Sequence, residues 1–203
     1  MPKQKLPVAI QTWWPEAAKT ASLSLLLAFG IHTFVAEARW IPSGSMEPTL
    51  QVNDRLIIDK VTYQVRAPQR EDIIVFRPPQ VWRRQQNEQG DSLHINTTFI
   101  KRVIGVPGDR LELQKGDVYR NGARIQESYV AHNAKTSVQI CAEPLTQSFL
   151  ALPQEVPPNH YLVLGDNRLK SNDGRCWGLV SRSDVLGRAV FRYWPVDRIG
   201  QLD

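Results

Sequence analysis

Ser45, Lys101 and Ser171 are the side chains whose surroundings could support chemistry. Ser45 lies in Ile41-Pro42-Ser43-Gly44-Ser45-Met46-Glu47-Pro48-Thr49-Leu50. Two prolines and a glycine impose an irregular backbone where two hydroxyls are presented. A serine nucleophile needs such a place, exposed on a sharp turn beside N–H groups that can receive an oxyanion. Taken alone, Ser-Gly-Ser is a turn motif in most proteins.

Lys101 lies in Thr98-Phe99-Ile100-Lys101-Arg102-Val103-Ile104-Gly105. Read as a strand, Phe99, Lys101 and Val103 share one face. A cation between two apolar neighbours is disfavoured, and burial lowers a lysine pKa. A neutral amine near Ser45 could take the hydroxyl proton without any histidine. Arginine could not, because its guanidinium does not deprotonate. The competing reading is an edge lysine whose stem lies on the sheet and whose head reaches water. Lys60 and Lys170 are further candidates, with weaker apolar flanking for Lys60.

Ser171 falls within Gly165-Asp166-Asn167-Arg168-Leu169-Lys170-Ser171-Asn172-Asp173-Gly174-Arg175-Cys176-Trp177-Gly178, after the apolar run Tyr161–Leu164. A solvated loop could have this composition. Asp173 and Arg175, opposite charges two apart, are placed to pin it, and Ser171 could then orient a lysine amine.

These residues must be carried by short elements. Runs of β-branched and aliphatic residues occur at Arg55–Val61, Asp72–Phe76, Thr97–Val106, Arg110–Leu113, Val118–Tyr119, His160–Leu164 and Gly187–Tyr193. Turn residues separate them, notably Pro107-Gly108-Asp109, Lys115-Gly116-Asp117, Asn121-Gly122 and Gly165-Asp166-Asn167. The expected fold is mainly β, an antiparallel, barrel-like catalytic body over 39–203. A polar, proline-bearing stretch at about 114–158 reads as a hairpin-rich insertion.

Ahead of the body, Ala21 to Ala36 carries no charge. Trp13 and Trp14 precede this segment and Trp40 follows it, roughly 40 Å apart along a helix. Residues 17–38 are expected to form a transmembrane anchor helix, with 1–16 as a cytoplasmic segment. Lys3, Lys5 and Lys19 favour a cytoplasmic amino terminus and an extracytoplasmic body. The rival is a cleaved leader, because Ala36-Glu37-Ala38 has the form of an Ala-x-Ala cleavage site.

The 203 residues suffice for one domain with a core plus an anchor. The net charge is +5, but the basic residues are scattered, and no motif supports nucleic-acid binding. Two cysteines, Cys141 and Cys176, exclude a disulfide framework and leave open whether they pair. The histidines (His32, His94, His132, His160) are dispersed, and no Cys/His cluster has metal-ligand spacing.

In order and spacing the three segments resemble the signature boxes of the bacterial type I signal peptidases, a family of serine/lysine-dyad proteases. The nucleophile box is Pro42 to Leu50, the lysine box Phe99 to Asp109, and the closing box Gly165 to Gly178. Asn53-Asp54-Arg55 and Arg70 to Phe76 also match intermediate segments. The resemblance implies a membrane-bound endopeptidase that removes signal peptides from exported preproteins. Ser45 would be nucleophile and Lys101 general base. Ser43 and the Ser45 N–H would form the oxyanion hole. Ser171 would hold the amine, and Asp173 and Arg175 would support it. It implies no metal or organic cofactor, and substrates with small residues at −1 and −3. Ile41, Met46, Leu50, Leu56, Val75 and Ile100 are candidate pocket walls. Partners would be preproteins and the lipid bilayer, near an export translocon. The site would be the plasma membrane, or the thylakoid membrane where a cell has one. Leu169, Lys170 and Gly174 depart from the family's usual Asp, Asn and Ser. A self-processing regulator with the same dyad, and an inactive membrane-anchored binding module of the same fold, remain alternatives.

Overall fold

Alternating and wholly apolar runs, separated by turn residues, form twelve strands among the described residues. The computed structural model describes residues 8–30, 35–80, 82–83, 97–131, 134–141, 149–150 and 152–202. The strands are β1 (Ala36–Trp40), β2 (Arg55–Asp59), β3 (Ile73–Phe76), β4 (Phe99–Gly105), β5 (Arg110–Gln114) and β6 (Asp117–Arg120). They continue as β7 (Ala123–Arg124), β8 (Gln154–Glu155), β9 (His160–Leu164), β10 (Val180–Ser181), β11 (Val185–Trp194) and β12 (Gly200–Gln201).

An eight-stranded sheet runs β1-β2-β11-β3-β4-β9-β10, with β12 added on β11. A four-stranded sheet runs β7-β6-β5-β8. Every pairing is antiparallel. The mainly β, antiparallel expectation therefore holds, and every strand-like run read from the sequence overlaps an observed strand. The small sheet occupies the expected insertion but begins earlier, at β5. Its hairpins turn on Lys115-Gly116 and Asn121-Gly122, all four with positive φ. That is the two-residue geometry matching the twist of paired strands, and glycine meets it without Cβ strain.

Period-two alternation divides the core. On β3, Ile74 and Phe76 join a cluster with Val103, Val163 and Trp177, while Ile73 and Val75 join Ile41, Met46, Leu50 and Leu56. A third cluster joins the sheets, packing Ile104, Leu162 and Leu164 of the large sheet against Leu111, Val118 and Val156. Burying an aliphatic side chain contributes about 1.5–3 kcal/mol, so these clusters dominate the fold.

The amino-terminal segment differs from the expected anchor in its bounds. The helix spans Val8–Gly30, and among the described residues no helix is long and apolar enough to cross a membrane. Glu16 and Lys19, ion-paired at 3.0 Å, interrupt the apolar stretch. Residues 31–34 of the expected anchor lie outside the described residues, as do His32, His94 and His132. Ala36 to Ala38 belong to β1 instead, in register with Asp59 to Ile57 of β2. Glu37 is tied to Arg39 at 2.7 Å and Lys60 at 3.5 Å, so the Ala-x-Ala triplet is part of the sheet. β1 accordingly begins at residue 36, inside the segment expected as the anchor.

Candidate active site

Ser45 occupies a 3-10 turn, Gly44–Met46, between β1 and β2. The loop is closed at its base, where the Ile41 N–H donates to the Asp54 carbonyl at 2.9 Å and the Asn53 N–H to the Ile41 carbonyl at 2.8 Å. The buried Asp54 carboxylate accepts from the Gln51 N–H at 2.9 Å and from Arg198 at 2.8 Å. Arg192 and Arg198 reach across to the Thr49 carbonyl at 2.9 and 3.3 Å. Met46 and Leu50 are fully buried beneath the turn. The nucleophile segment is thus fixed by backbone closure, by charge and by an apolar floor.

Lys101 sits mid-way along β4, opposite Ile74 of β3. Its neighbours on that face, Phe99 and Val103, pack in the same cluster as Ile74, and Lys101 itself is 4% exposed. Its Nζ donates to Ser45 Oγ at 2.8 Å and to the Ile100 carbonyl at 3.0 Å. Burial pushes the amine down to about 8, although the carboxylates of Asp173 and Asp166 pull it back up. An amine at that value deprotonates close to neutral pH, as a general base requires. The water-reaching alternative for Lys101 is excluded by its burial.

Ser43 Oγ donates to Ser45 Oγ at 3.4 Å, so both hydroxyls of the turn face one place. Asp173 and Arg175 form a buried ion pair with Nε–Oδ1 2.8 Å and Nη2–Oδ2 2.9 Å. Burial alone would raise the Asp173 carboxyl, but Arg175 and the Gly165 N–H hold it below the usual carboxylate range. Arg175 also donates to the carbonyls of Arg168, Ser171 and Ser137, at 2.8, 3.1 and 3.1 Å. It braces the closing loop from inside.

Ser171 departs from expectation. Its hydroxyl is buried and forms no hydrogen bond to the Lys101 amine; it lies instead by the Asp173 carboxylate, which it helps hold in the charged form. It also packs on Gly165, where an added Cβ would lie 2.2 Å from Ser171 Oγ. The pocket list is also revised. All six residues fall in or against one cluster, but Met46, Leu50 and Leu56 are fully enclosed and form its interior rather than a wall. Ile100 is half-buried, and Ile41 and Val75 retain slight exposure. Lys60 is engaged with Glu37, and Leu169 and Lys170 face solvent. Gly174 is closely packed, since a Cβ there would meet the Val163 carbonyl at 2.8 Å.

Some structural contacts had no sequence signal of their own. Asp166 accepts from Thr49 Oγ1 at 2.6 Å and from Arg102 Nε and Nη2 at 2.9 and 2.8 Å, which joins all three motif segments at one carboxylate. Asn167 donates its N–H to the Ser45 carbonyl at 3.2 Å and its Nδ2 to the Gly44 carbonyl at 3.0 Å. Both residues stood inside a recognised motif, and the pairing of Asp166 with Arg102 is the one that charge alone suggests. Cys141 and Cys176 are disulfide-bonded, with Cα atoms 5.3 Å apart. Among the described residues no group of His, Cys, Asp and Glu is placed to hold a metal ion. The arrangement can perform acyl transfer through a serine activated by a neutral amine.

The model of the family "Signal peptidase, peptidase S26" matches residues 14–194. "Probable signal peptidase I-2" of Synechocystis sp. is 46% identical over 189 residues, which cover 93% of this chain and 77% of that one. "Signal peptidase I" of Leptolyngbya laminosa is 46% identical over 187 residues, covering 92% and 83%. "Thylakoidal processing peptidase 1, chloroplastic" of Arabidopsis thaliana is 35% identical over 184 residues, covering 91% and 49%. A crystal structure of a signal peptidase I from Enterococcus faecalis aligns at 29% identity and TM-score 0.42, over 61% of this chain and 97% of that one. By its sequence, from residue 14 in the amino-terminal helix to residue 194 at the end of β11, the chain belongs to the signal peptidase family, peptidase S26.

Proposed function

We propose that the chain is a serine endopeptidase that removes signal peptides from exported preproteins, with Ser45 as nucleophile and neutral Lys101 as general base. The observation that carries this reading is the 2.8 Å contact between a buried amine and the Ser45 hydroxyl. Lys101 takes the proton of Ser45 as its Oγ attacks the scissile carbonyl. The developing oxyanion is received by the Ser45 N–H and the Ser43 hydroxyl. The protonated amine then gives its proton to the leaving amine, and the mature protein departs. Water, deprotonated by the same amine, hydrolyses the acyl-enzyme and frees Ser45. Asp173 and Arg175 act by holding the loop behind the amine, and Ser171 by filling the space over Gly165.

Small side chains at −1 and −3 suit a site whose apolar surroundings, Ile41, Val75 and Ile100, are already closely packed. The amino-terminal helix supports membrane association. Leu23, Leu25, Leu26, Leu27 and Phe29 are 63–71% exposed, an apolar surface suited to lipid rather than water. In this reading the helix holds the body at the extracytoplasmic face of the membrane, where preprotein cleavage points emerge.

The test is cleavage of an Ala-x-Ala preprotein by wild type, Ser45→Ala and Lys101→Arg, each checked for folding by a thermal melt. Both variants are expected to lose turnover. Normal turnover in a folded Lys101→Arg protein ends the dyad reading. An inactive wild type favours the binding-module alternative.

A further inference from the structure

We propose that Glu127, in the insertion outside the three motif segments, is a positioning residue for the reaction: it clamps Arg168, and through the adjoining Asn167 it fixes the Ser45 peptide against Lys101. This deepens the dyad reading and rests on it.

Arg168 is 1% exposed, and its guanidinium spans both Glu127 oxygens, Nη1 to Oε2 at 2.8 Å and Nη2 to Oε1. The same Nη1 donates to Thr136 Oγ1 at 2.6 Å, and Nε donates to the Gly165 carbonyl at 3.1 Å. A forked guanidinium on a carboxylate fixes direction as well as distance. Asn167, next along the chain, makes the two contacts with the Ser45 and Gly44 carbonyls. A shift of Arg168 therefore moves the clasp that holds the nucleophile's own peptide. Glu127 is in turn held from its other side. Tyr129 Oη donates to Glu127 Oε1 at 3.0 Å, and the Tyr129 ring lies 4.2 Å from the guanidinium carbon of Arg102, the residue after Lys101. One short segment of the insertion thus bears on both the nucleophile's clasp and the strand of the base. Misplacing reacting groups by about 1 Å costs on the order of a hundredfold in rate.

A pair that only stabilises the fold would look similar in a static structure, so the test separates rate from folding. The full chain is purified in detergent as wild type, Glu127→Gln, Arg168→Gln and the double variant. For each, kcat and KM on an Ala-x-Ala preprotein are measured beside a thermal melt. Glu127→Gln is expected to lower kcat by roughly 10- to 100-fold, with KM changed less than about twofold. The double variant is expected to fall no lower in kcat than Arg168→Gln, because Glu127 acts through Arg168. The double variant removes the uncompensated buried cation, so it reports on rate even where Glu127→Gln alone fails to fold. Wild-type kcat in a folded Glu127→Gln or double variant overturns the proposal, as do losses that multiply or a change confined to KM. Ser45→Ala run alongside keeps the readings apart: turnover there ends the dyad reading, whereas wild-type kcat in the Glu127 variants ends only this proposal.

Discussion

A methyl group placed on Gly165 would lie 2.4 Å from the carbonyl oxygen of Ser45, closer than any stable contact between those atoms. The closing loop rests directly on the backbone of the nucleophile, and the absence of a side chain is what allows it. Because the obstacle is main chain, it cannot swing aside. Gly165→Ala is expected to lower kcat about a hundredfold and to cost about 1–3 kcal/mol in stability. Preprotein cleavage and a denaturant melt read the two effects. A variant with unchanged rate and midpoint would mean that the loop is not seated on Ser45.

The pH dependence follows from the burial of Lys101. On the dyad reading the working form is the neutral amine, and burial brings its folded value down to about 8. Below that pH, kcat/KM is expected to fall roughly tenfold per unit as the amine gains its proton. Above it, the curve levels off. A profile flat from pH 6 to 10 would contradict an amine base.

The same burial makes Lys101 a stability defect. The folded value of about 8 lies below the ordinary 10.5, so between them the unfolded chain binds more protons than the native one. Wild-type stability therefore rises as pH increases from about 8 to 10.5. Lys101→Met removes the charge and keeps the bulk. It is expected to be inactive yet more stable than wild type by about 1–3 kcal/mol at pH 7, with the margin shrinking toward pH 10. Equal melts for the two proteins at both pH values would show that the ammonium is not desolvated.

The Cys141–Cys176 disulfide spans 35 residues and ends in the helical turn Gly174–Trp177, next to Arg175. Closing a loop of that length restricts the unfolded chain and is worth about 2–4 kcal/mol. Reductant should lower the wild-type denaturant midpoint by that amount and leave the Cys141→Ser/Cys176→Ser protein unmoved. An equal response in both would place the effect elsewhere.

Much of this molecule is legible in its sequence, for reasons that differ by residue. Strands such as β3 and β4 announce themselves because apolar runs end at residues that only a turn accepts, and Lys115-Gly116 and Asn121-Gly122 specify their hairpins locally. β1 is different. Ala36 to Trp40 has no strand character of its own, and its conformation comes from pairing with β2, so it reads instead as the end of the preceding apolar segment. Ser45 and Lys101 stand out because each has an unusual local setting. Ser171 illustrates the limit, since residue type could not tell a hydroxyl that orients an amine from one that fills space beside a glycine. Met46, Leu50 and Leu56 illustrate it again, because an aliphatic residue behind a pocket has the same signature as one that lines it. The Glu127–Arg168 pair joins residues 41 positions apart and leaves no pattern at either end.

Ser45 and Lys101 are separated by 56 positions, and the clasp on Gly44 comes from 123 positions away. Before β4 is enclosed, the amine is hydrated and carries its proton like any surface lysine, and the hydroxyl beside it is no more reactive than that of free serine. On the dyad reading, hydrolytic power therefore belongs to the closed fold and to no local stretch of the chain.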